Sequence, residues 1–315
     1  MSKMWIRVVA GLAVVTGLTV AAWVTSSHVE AQNSLSSTQS SSSTQGTLTG
    51  TWKASVSKSN NKINLNLERE HKRGKSNMGH DFDFSELQGL TLDQALNGGP
   101  VTFNLSREAG RVDFEGSFQN GKGSGTFRFT PNASFISAMK SRGFNFDESD
   151  DSDDRHGEDR VFAAAMLNVS TAQADDLASA GFGKLETEDL FKAAIFKVDS
   201  KFAREMKASG FENLGMEELV KARIFKVDAE FARQVAQMGF EKEPFESLVK
   251  MQIFKVTPEF IAEVRNEGLN VNAVEDVVKL RIFKIDAQYI REAKADGVPM
   301  EVERLVQRKI GIARH

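Results

Sequence analysis

Ile253-Phe254-Lys255-Val256-Thr257-Pro258-Glu259-Phe260 is the stretch on which the reading of this chain turns. Its first four residues recur as Ile195-Phe196-Lys197-Val198, Ile224-Phe225-Lys226-Val227 and Ile282-Phe283-Lys284-Ile285, at a step of 29 residues each time. Gly181, Gly210, Gly239, Gly268 and Gly297 keep that step. So do the polar residues Ser170, Asp199, Asp228, Thr257 and Asp286. A fixed period of roughly 20–50 residues is the mark of stacked repeat units.

Within the quoted copy, Thr257 is placed to cap a helix, Pro258 fits its first position, and Glu259 lies where the helix dipole favours a carboxylate. Phe260 and Val264 share one face. Gly268 supplies the left-handed residue that stops the helix, and Leu269 the apolar contact that accompanies such a stop. Phe182, Phe211, Phe240 and Val298 follow the other glycines. A second helix is then written by Leu219 to Ile224 and again by Val277 to Ile282, with Glu217 and Glu218 leading and Lys221 and Arg223 closing. The tetrapeptide is rich enough in β-branched and aromatic residues for a strand. It continues a helical pattern, however, and meets a cap with no turn between, so each 29-mer is read as two short helices. Helices of about ten residues are marginal alone in water, so neighbouring copies must stack to bury their apolar stripes.

Upstream the period changes to two. Trp52, Ala54 and Val56 alternate with polar residues, as do Ile63, Leu65 and Leu67; Val101, Phe103 and Leu105; Val112, Phe114 and Gly116; and Gly125, Phe127 and Phe129. Strict alternation predicts an antiparallel sheet with one buried face. Asn60-Asn61, Asn97-Gly98-Gly99, Glu108-Ala109-Gly110 and Asn120-Gly121-Lys122-Gly123 carry turn chemistry, and the last three strands should form a meander. His80 to Phe84 is a further candidate strand. Ser85 to Leu96 reads as a short helix or ordered loop with Leu87, Leu90, Leu92 and Leu96 facing in. About six strands are expected, in a small barrel or curled sheet. Thr130-Pro131 reads as the cap and first position of the next helix, which Gly143 ends. Asp147 to Asp159 holds eight acidic residues in thirteen, a solvated charge run inserted in a degenerate first repeat.

The expected class is therefore α+β: an antiparallel sheet or small barrel, then a solenoid of short helix pairs. The start, with Lys3 and Arg7 before the uncharged run Val8–Val24, reads as a signal peptide over 1–31, or an uncleaved anchor. Residues 32–48 form a Ser/Thr/Gln-rich tether, 49–130 the β-domain, 131–169 the degenerate first repeat with its insertion at 147–159, and 170–315 the regular repeats. The expected location is thus the periplasm, or the inner membrane facing it.

The chain of 315 residues has no cysteine, which excludes disulfides, thiolate nucleophiles and cysteine-ligated zinc. A net charge of -3 argues against a nucleic-acid binder. His28, His71, His80, His156 and His315 form no His-Glu-x-x-His pair. Asp151, Asp153 and Gly157 lack calcium-loop spacing. His80 beside Asp81 and Asp83 could hold a metal only if alternate strand residues faced the same way. No nucleophile–base set assembles, so no enzyme and no cofactor is expected.

Phe254-Lys255-Val256-Thr257-Pro258-Glu259-Phe260 with Gly268 resembles short tandem repeats of bacterial extracytoplasmic proteins, some fused to BlaR/MecR-type sensor metallopeptidases. There a His-Gly pair fills the place of Phe254-Lys255. The resemblance covers about Ser170 to Ile310 and implies helical repeats in a regulatory or interaction setting, without the peptidase. The repeat is also similar to helix-hairpin-helix units, but Phe and Lys occupy the turn where phosphate binding needs glycine N–H groups. Gly50-Thr51-Trp52 resembles the first strand of lipocalin- and avidin-type barrels.

Two functions follow as expectations. One is a non-enzymatic scaffold binding a protein partner along the repeats, with Lys197, Lys226, Lys255 and Lys284 as a ladder on one edge and the acidic run Asp147 to Asp159 as a candidate occupant in cis. Phe196, Phe225, Phe254 and Phe283, with the five periodic glycines, are its structural residues. The other is a small-ligand binder with a cavity lined by Trp52, Phe103, Phe114 and Phe127. No nucleic-acid partner is expected, and the membrane only through an uncleaved N-terminal segment.

Overall fold

The computed structural model describes residues 47–57, 61–71, 74–146 and 156–311. The targeting segment, most of the tether, and residues 147–155 of the acidic run lie outside them.

The fold is mixed α+β. Seven antiparallel strands come first: β1 (Leu48–Ser57), β2 (Lys62–His71), β3 (Gly74–Asp83), β4 (Leu87–Gln88), β5 (Gly99–Arg107), β6 (Gly110–Gln119) and β7 (Lys122–Pro131). Their order is β3-β2-β1-β7-β6-β5-β4, so β5 to β7 form the expected meander and β1 closes on β7. β3 and β4 are the sheet's two edges, which makes it a curled half-barrel and not a closed barrel.

The alternating residues fill its inner face. Ile63, Leu65, Phe103, Leu105, Val112, Phe114 and Phe129 are all buried. Trp52 lies among them, edge-on to Phe103 at 5.5 Å and to Phe114 at 6.4 Å, and its Nε1–H donates to the Glu115 carbonyl at 3.1 Å. Gly116 makes room for it: a β-carbon there would come within 2.7 Å of the indole.

Three expectations about this half are corrected. The third strand begins at Gly74, well before His80, and Phe84 already belongs to a 3-10 turn. The strand is polar along most of its length and is held by backbone pairing to β2, which leaves little apolar pattern to read. Between 85 and 96 the expected short helix is present as α1 (Leu92–Asn97), capped by Thr91, but the end of the 3-10 turn and the two-residue β4 come before it. Thr130 and Pro131 still pair with β6, and the cap of the next helix is Asn132, which accepts from the Ser134 N–H.

Among the described residues twelve helices follow, named in chain order: α2 (Ala133–Ser141), α3 (His156–Met166), α4 (Thr171–Ser179), α5 (Thr187–Phe196), α6 (Ser200–Ala208), α7 (Met216–Phe225), α8 (Ala229–Gln237), α9 (Phe245–Ile253), α10 (Pro258–Asn266), α11 (Val274–Ile282), α12 (Ala287–Ala295) and α13 (Val302–Lys309). The tetrapeptides end helices and are not strands. From α5 on, each odd helix packs on the next odd one, while α4 packs on α6, α6 on α8 and α10 on α12, giving two layers. The first helix of each regular unit is capped as expected: the N–H groups of Phe202, Phe231, Phe260 and Tyr289 donate to Asp199, Asp228, Thr257 and Asp286.

Sheet and repeats share a core. Phe162 of α3 stacks on Phe127 at 5.5 Å and meets Phe129 edge-on. Asp159 of α3 pairs with Arg69 of β2, both largely buried. Glu108, in the β5–β6 turn, accepts from the Thr171 N–H at 2.9 Å, at the start of α4. The array is thus built outward from the sheet.

Candidate functional site

Each regular unit stops twice, and the two stops differ in chemistry. Even helices end on a glycine of positive φ, Gly181, Gly210, Gly239, Gly268 and Gly297, at 77 to 97°. After Gly210, Gly239, Gly268 and Gly297 the next residue donates back to the carbonyl five residues earlier, as from Phe211 to Met206 and from Leu269 to Val264, which is the expected Schellman stop.

Odd helices end on the lysines. Lys197, Lys226, Lys255 and Lys284 have φ of 55, 57, 53 and 52°. The N–H groups of Val198, Val227, Val256 and Ile285 donate to the carbonyls of Ala193, Ala222, Met251 and Leu280. The same stop therefore occurs with lysine in the left-handed place, at a steric cost of roughly 1–2 kcal/mol per residue that glycine would not bear. Asn168 holds that place in the first unit, with φ 57°. Asparagine tolerates this conformation, and its position 29 residues before Lys197 was the signal in the sequence that the lysine is a helix stop.

The four lysines come to one edge. The Gln252 amide donates to the Lys226 carbonyl, and Arg281 to the Phe254 carbonyl, so the C-terminal ends of successive odd helices lie side by side. Neighbouring packed helices are about 8–10 Å apart, which sets the spacing of the rungs. All four lysines are exposed, and none makes an ion pair or side-chain hydrogen bond among the described residues. Beside them Ile195 and Ile224 are 43% and 42% exposed, and Ile253 and Ile282 are half-buried. Phe196, Phe225, Phe254 and Phe283 are half-buried against the core. The valine or isoleucine that ends each tetrapeptide is buried. Each rung thus presents an ammonium with an apolar shoulder. The neighbouring acids are engaged: Asp199, Asp228 and Asp286 cap helices, Glu230 pairs with Arg233, and its own backbone N–H, then the Thr257 hydroxyl, hold the Glu259 carboxyl below the usual range.

A second periodic set was not foreseen. Lys192, Lys221, Lys250 and Lys279 reach the next odd helix, pairing with Glu217, Glu246, Glu275 and Glu303. Arg160 and Glu188 begin the series at 2.7 Å. Burial pulls the Lys192 ammonium down, but the Glu217 carboxylate outweighs it and holds the group above its ordinary value. Glu217 and Lys221 stand in the sequence as a dipole pattern within one helix; the structure uses them between helices. These lysines tie the stack and are not free for a partner.

The aromatic four expected to line a ligand cavity are packed. Phe103 stacks on Phe114 at 4.6 Å, and Phe127 is covered by Phe162. A cavity of about 510 Å³ lies elsewhere, lined by Val56, Ser57, Asn61, Leu92, Leu96 and Asn120. His80 is half-buried, 4.8 Å from Phe82, and burial lowers its pKa. Asp81 and Asp83 point the other way, to Asn64 and Lys62. No metal-holding cluster occurs among the described residues.

The expected placement of the acidic run on the lysine row falls on residues 147–155, which lie outside the described residues.

No helix among the described residues is long and apolar enough to cross a membrane. Comparison with protein-family models, with curated proteins and with solved structures finds no match for this chain.

Proposed function

We propose that this chain is a non-enzymatic scaffold of an extracytoplasmic compartment that holds a protein partner along the Ile-Phe-Lys edge of its repeats. The observation that carries the reading is the use of lysine, at four successive left-handed helix stops, where glycine would be less strained. A costly residue repeated in register, with its ammonium unpaired and an isoleucine beside it, presents one surface four times. The packed sheet core and the stacked helices give that surface a fixed frame. The resemblance of Phe254 to Phe260 with Gly268 to repeats fused to BlaR/MecR-type sensors supports a regulatory setting and an exported chain. An N-terminal signal peptide or anchor agrees with it.

Two experiments test this. A photo-crosslinking residue at Ile224 should form adducts with a protein, and the same probe at Thr51, on the solvated face of the sheet, should not. Adducts at Ile224 that persist when all four lysines are changed to glycine would count against the edge. Fusion of residues 1–48 to a reporter active only outside the cytoplasm should give signal; an inactive fusion would remove the compartment.

A further inference from the structure

The sheet ends on two unlike edges. β4 is two residues long and offers little to pair with. β3 runs for ten residues, and among the described residues only β2 pairs with it, in an unbroken register from His71 and Gly74 to Lys62 and Asp83. An antiparallel edge strand turns every second N–H and C=O away from its sheet, and natural edges are blunted by proline, bulges or lysines. β3 has no proline, and its one lysine, Lys75, stands near its start. Gly79, in its middle, has no duty within one copy. Its φ is not left-handed, and a β-carbon there would meet nothing within 4 Å. Glycine weakens a strand interior, and one so placed often marks the close approach of another backbone.

We infer that β3 pairs antiparallel with β3 of a second copy, about a two-fold axis through Gly79, so that the two sheets run on as one. Each residue then lies opposite the one equally far beyond Gly79, and Lys75 faces Asp83 of the second copy. Lys75 already lies 3.0 Å from Glu70, and Asp83 lies 3.4 Å from Lys62. Across the join the exposed face therefore alternates in sign: Glu70, Lys75, Asp83, Lys62. The Lys75 and Asp83 side chains are 61% and 53% exposed, which leaves each room for a second partner. Asn77 faces Asp81, an amide donor against a carboxylate. On the inner face Met78 faces His80, both half-buried. A one-residue slip would turn the inner residues outward. Moving the axis to Met78 or His80 loses the match of Lys75 with Asp83 and sets a side chain on the axis. A strand with lysine near its start and aspartate at its end is complementary to itself when reversed, and this names the occupant. The contact uses one patch twice, so it closes as a dimer and involves none of the repeat edge.

A cysteine at the axis reads this directly, because the chain has none of its own. Opposed residues of an antiparallel pair have Cα atoms about 4.5–5.5 Å apart, within disulfide reach. Gly79→Cys in the full-length chain should therefore oxidise to a covalent dimer. Asn77→Cys, two residues from the axis, sets its two thiols about 13 Å apart and should stay monomeric alone, yet crosslink when mixed with Asp81→Cys. In the Gly79→Cys background, Lys75→Glu or Asp83→Lys should each lower the yield about tenfold, since like charges then oppose each other twice. An equimolar mixture of the two should recover the mixed dimer, because each supplies the charge the other lacks; that recovery separates the contact from any loss of folding in either chain. Equal crosslinking of Gly79→Cys and Asn77→Cys, or a mixture no better than its parts, overturns the inference. The wild type gives a second readout. Every second amide of β3 should exchange more slowly as protein concentration rises. Slow exchange already in dilute solution would mean that the edge is covered within one copy, and fast exchange at every concentration that it stays bare; either result overturns the inference.

Discussion

The two halves of this molecule solve the same burial problem in opposite ways. In the sheet, distant residues must meet: Leu48 pairs with Phe129, and Trp52 packs on Phe103 and Phe114. In the repeats, ties reach only to the next unit, as Lys221 reaches Glu246 and Gln252 reaches Lys226. A core closed by long-range pairing is cooperative throughout, whereas a nearest-neighbour stack has stability that is a sum along one dimension. The difference teaches where each half tolerates change. A sheet core residue is answerable to every strand, and a repeat residue to two neighbours.

The comparison breaks most visibly at Trp52. Trp52→Ala should cost about 3–5 kcal/mol and remove the β transition as a whole, followed by near-UV circular dichroism in a urea titration. A small loss confined to β1 would contradict the closed core. Phe162→Ala acts at the joint. It should cost about 3 kcal/mol and split one calorimetric transition into two, since the stacking on Phe127 couples the halves. A single transition, merely shifted down, would mean that other contacts carry the coupling.

The helix stops sharpen the comparison within the array, because they predict opposite signs at two positions that both have positive φ. Gly210→Ala should destabilise by about 1 kcal/mol through conformation alone, as nothing lies within 4 Å of the added carbon. Lys226→Gly should stabilise by about 0.5–1 kcal/mol, by relieving a left-handed lysine. Denaturant midpoints of the two variants decide it, and a loss at Lys226→Gly would show that the side chain is needed for the fold.

The smallest effects are electrostatic. A double-mutant cycle on Lys221 and Glu246 should give about 0.5 kcal/mol or less, vanishing in high salt. Lys192 has its pKa raised, so its contribution is complete below the unfolded value of 10.5 and fades as pH rises through the folded one. Asp176, held below 3.8 by the Ser200 hydroxyl and N–H, contributes above 3.8 and loses that as pH falls through its folded value. The alkaline and acid limbs of a stability profile should therefore respond separately to Glu217→Gln and Ser200→Ala.

The array was legible because its punctuation is chemical. Gly268 and Thr257 each have one physical reason to recur at their positions. The sheet was legible wherever one face is buried, as along Val101 to Leu105. What escaped lacks such a local cause. β3 is polar and pairs through its backbone; Thr130 and Pro131 look like a helix start because a strand edge accepts the same residues. The left-handed lysines have no intrinsic preference for that conformation, and only Asn168 betrays it. The Lys–Glu ladder was present as a period but joins residues whose proximity depends on how helices stack.

Native-state hydrogen exchange on Leu280→Ala tests most directly whether the units hold each other up. Leu280 is fully buried in α11, and its truncation should remove about 2–5 kcal/mol from one place. Amides of α10 to α13 should lose protection together, grading toward the wild-type level through α7, while β1 to β7 remain unchanged. Loss confined to α11, with α9 and α13 untouched, would show independent units and contradict the account.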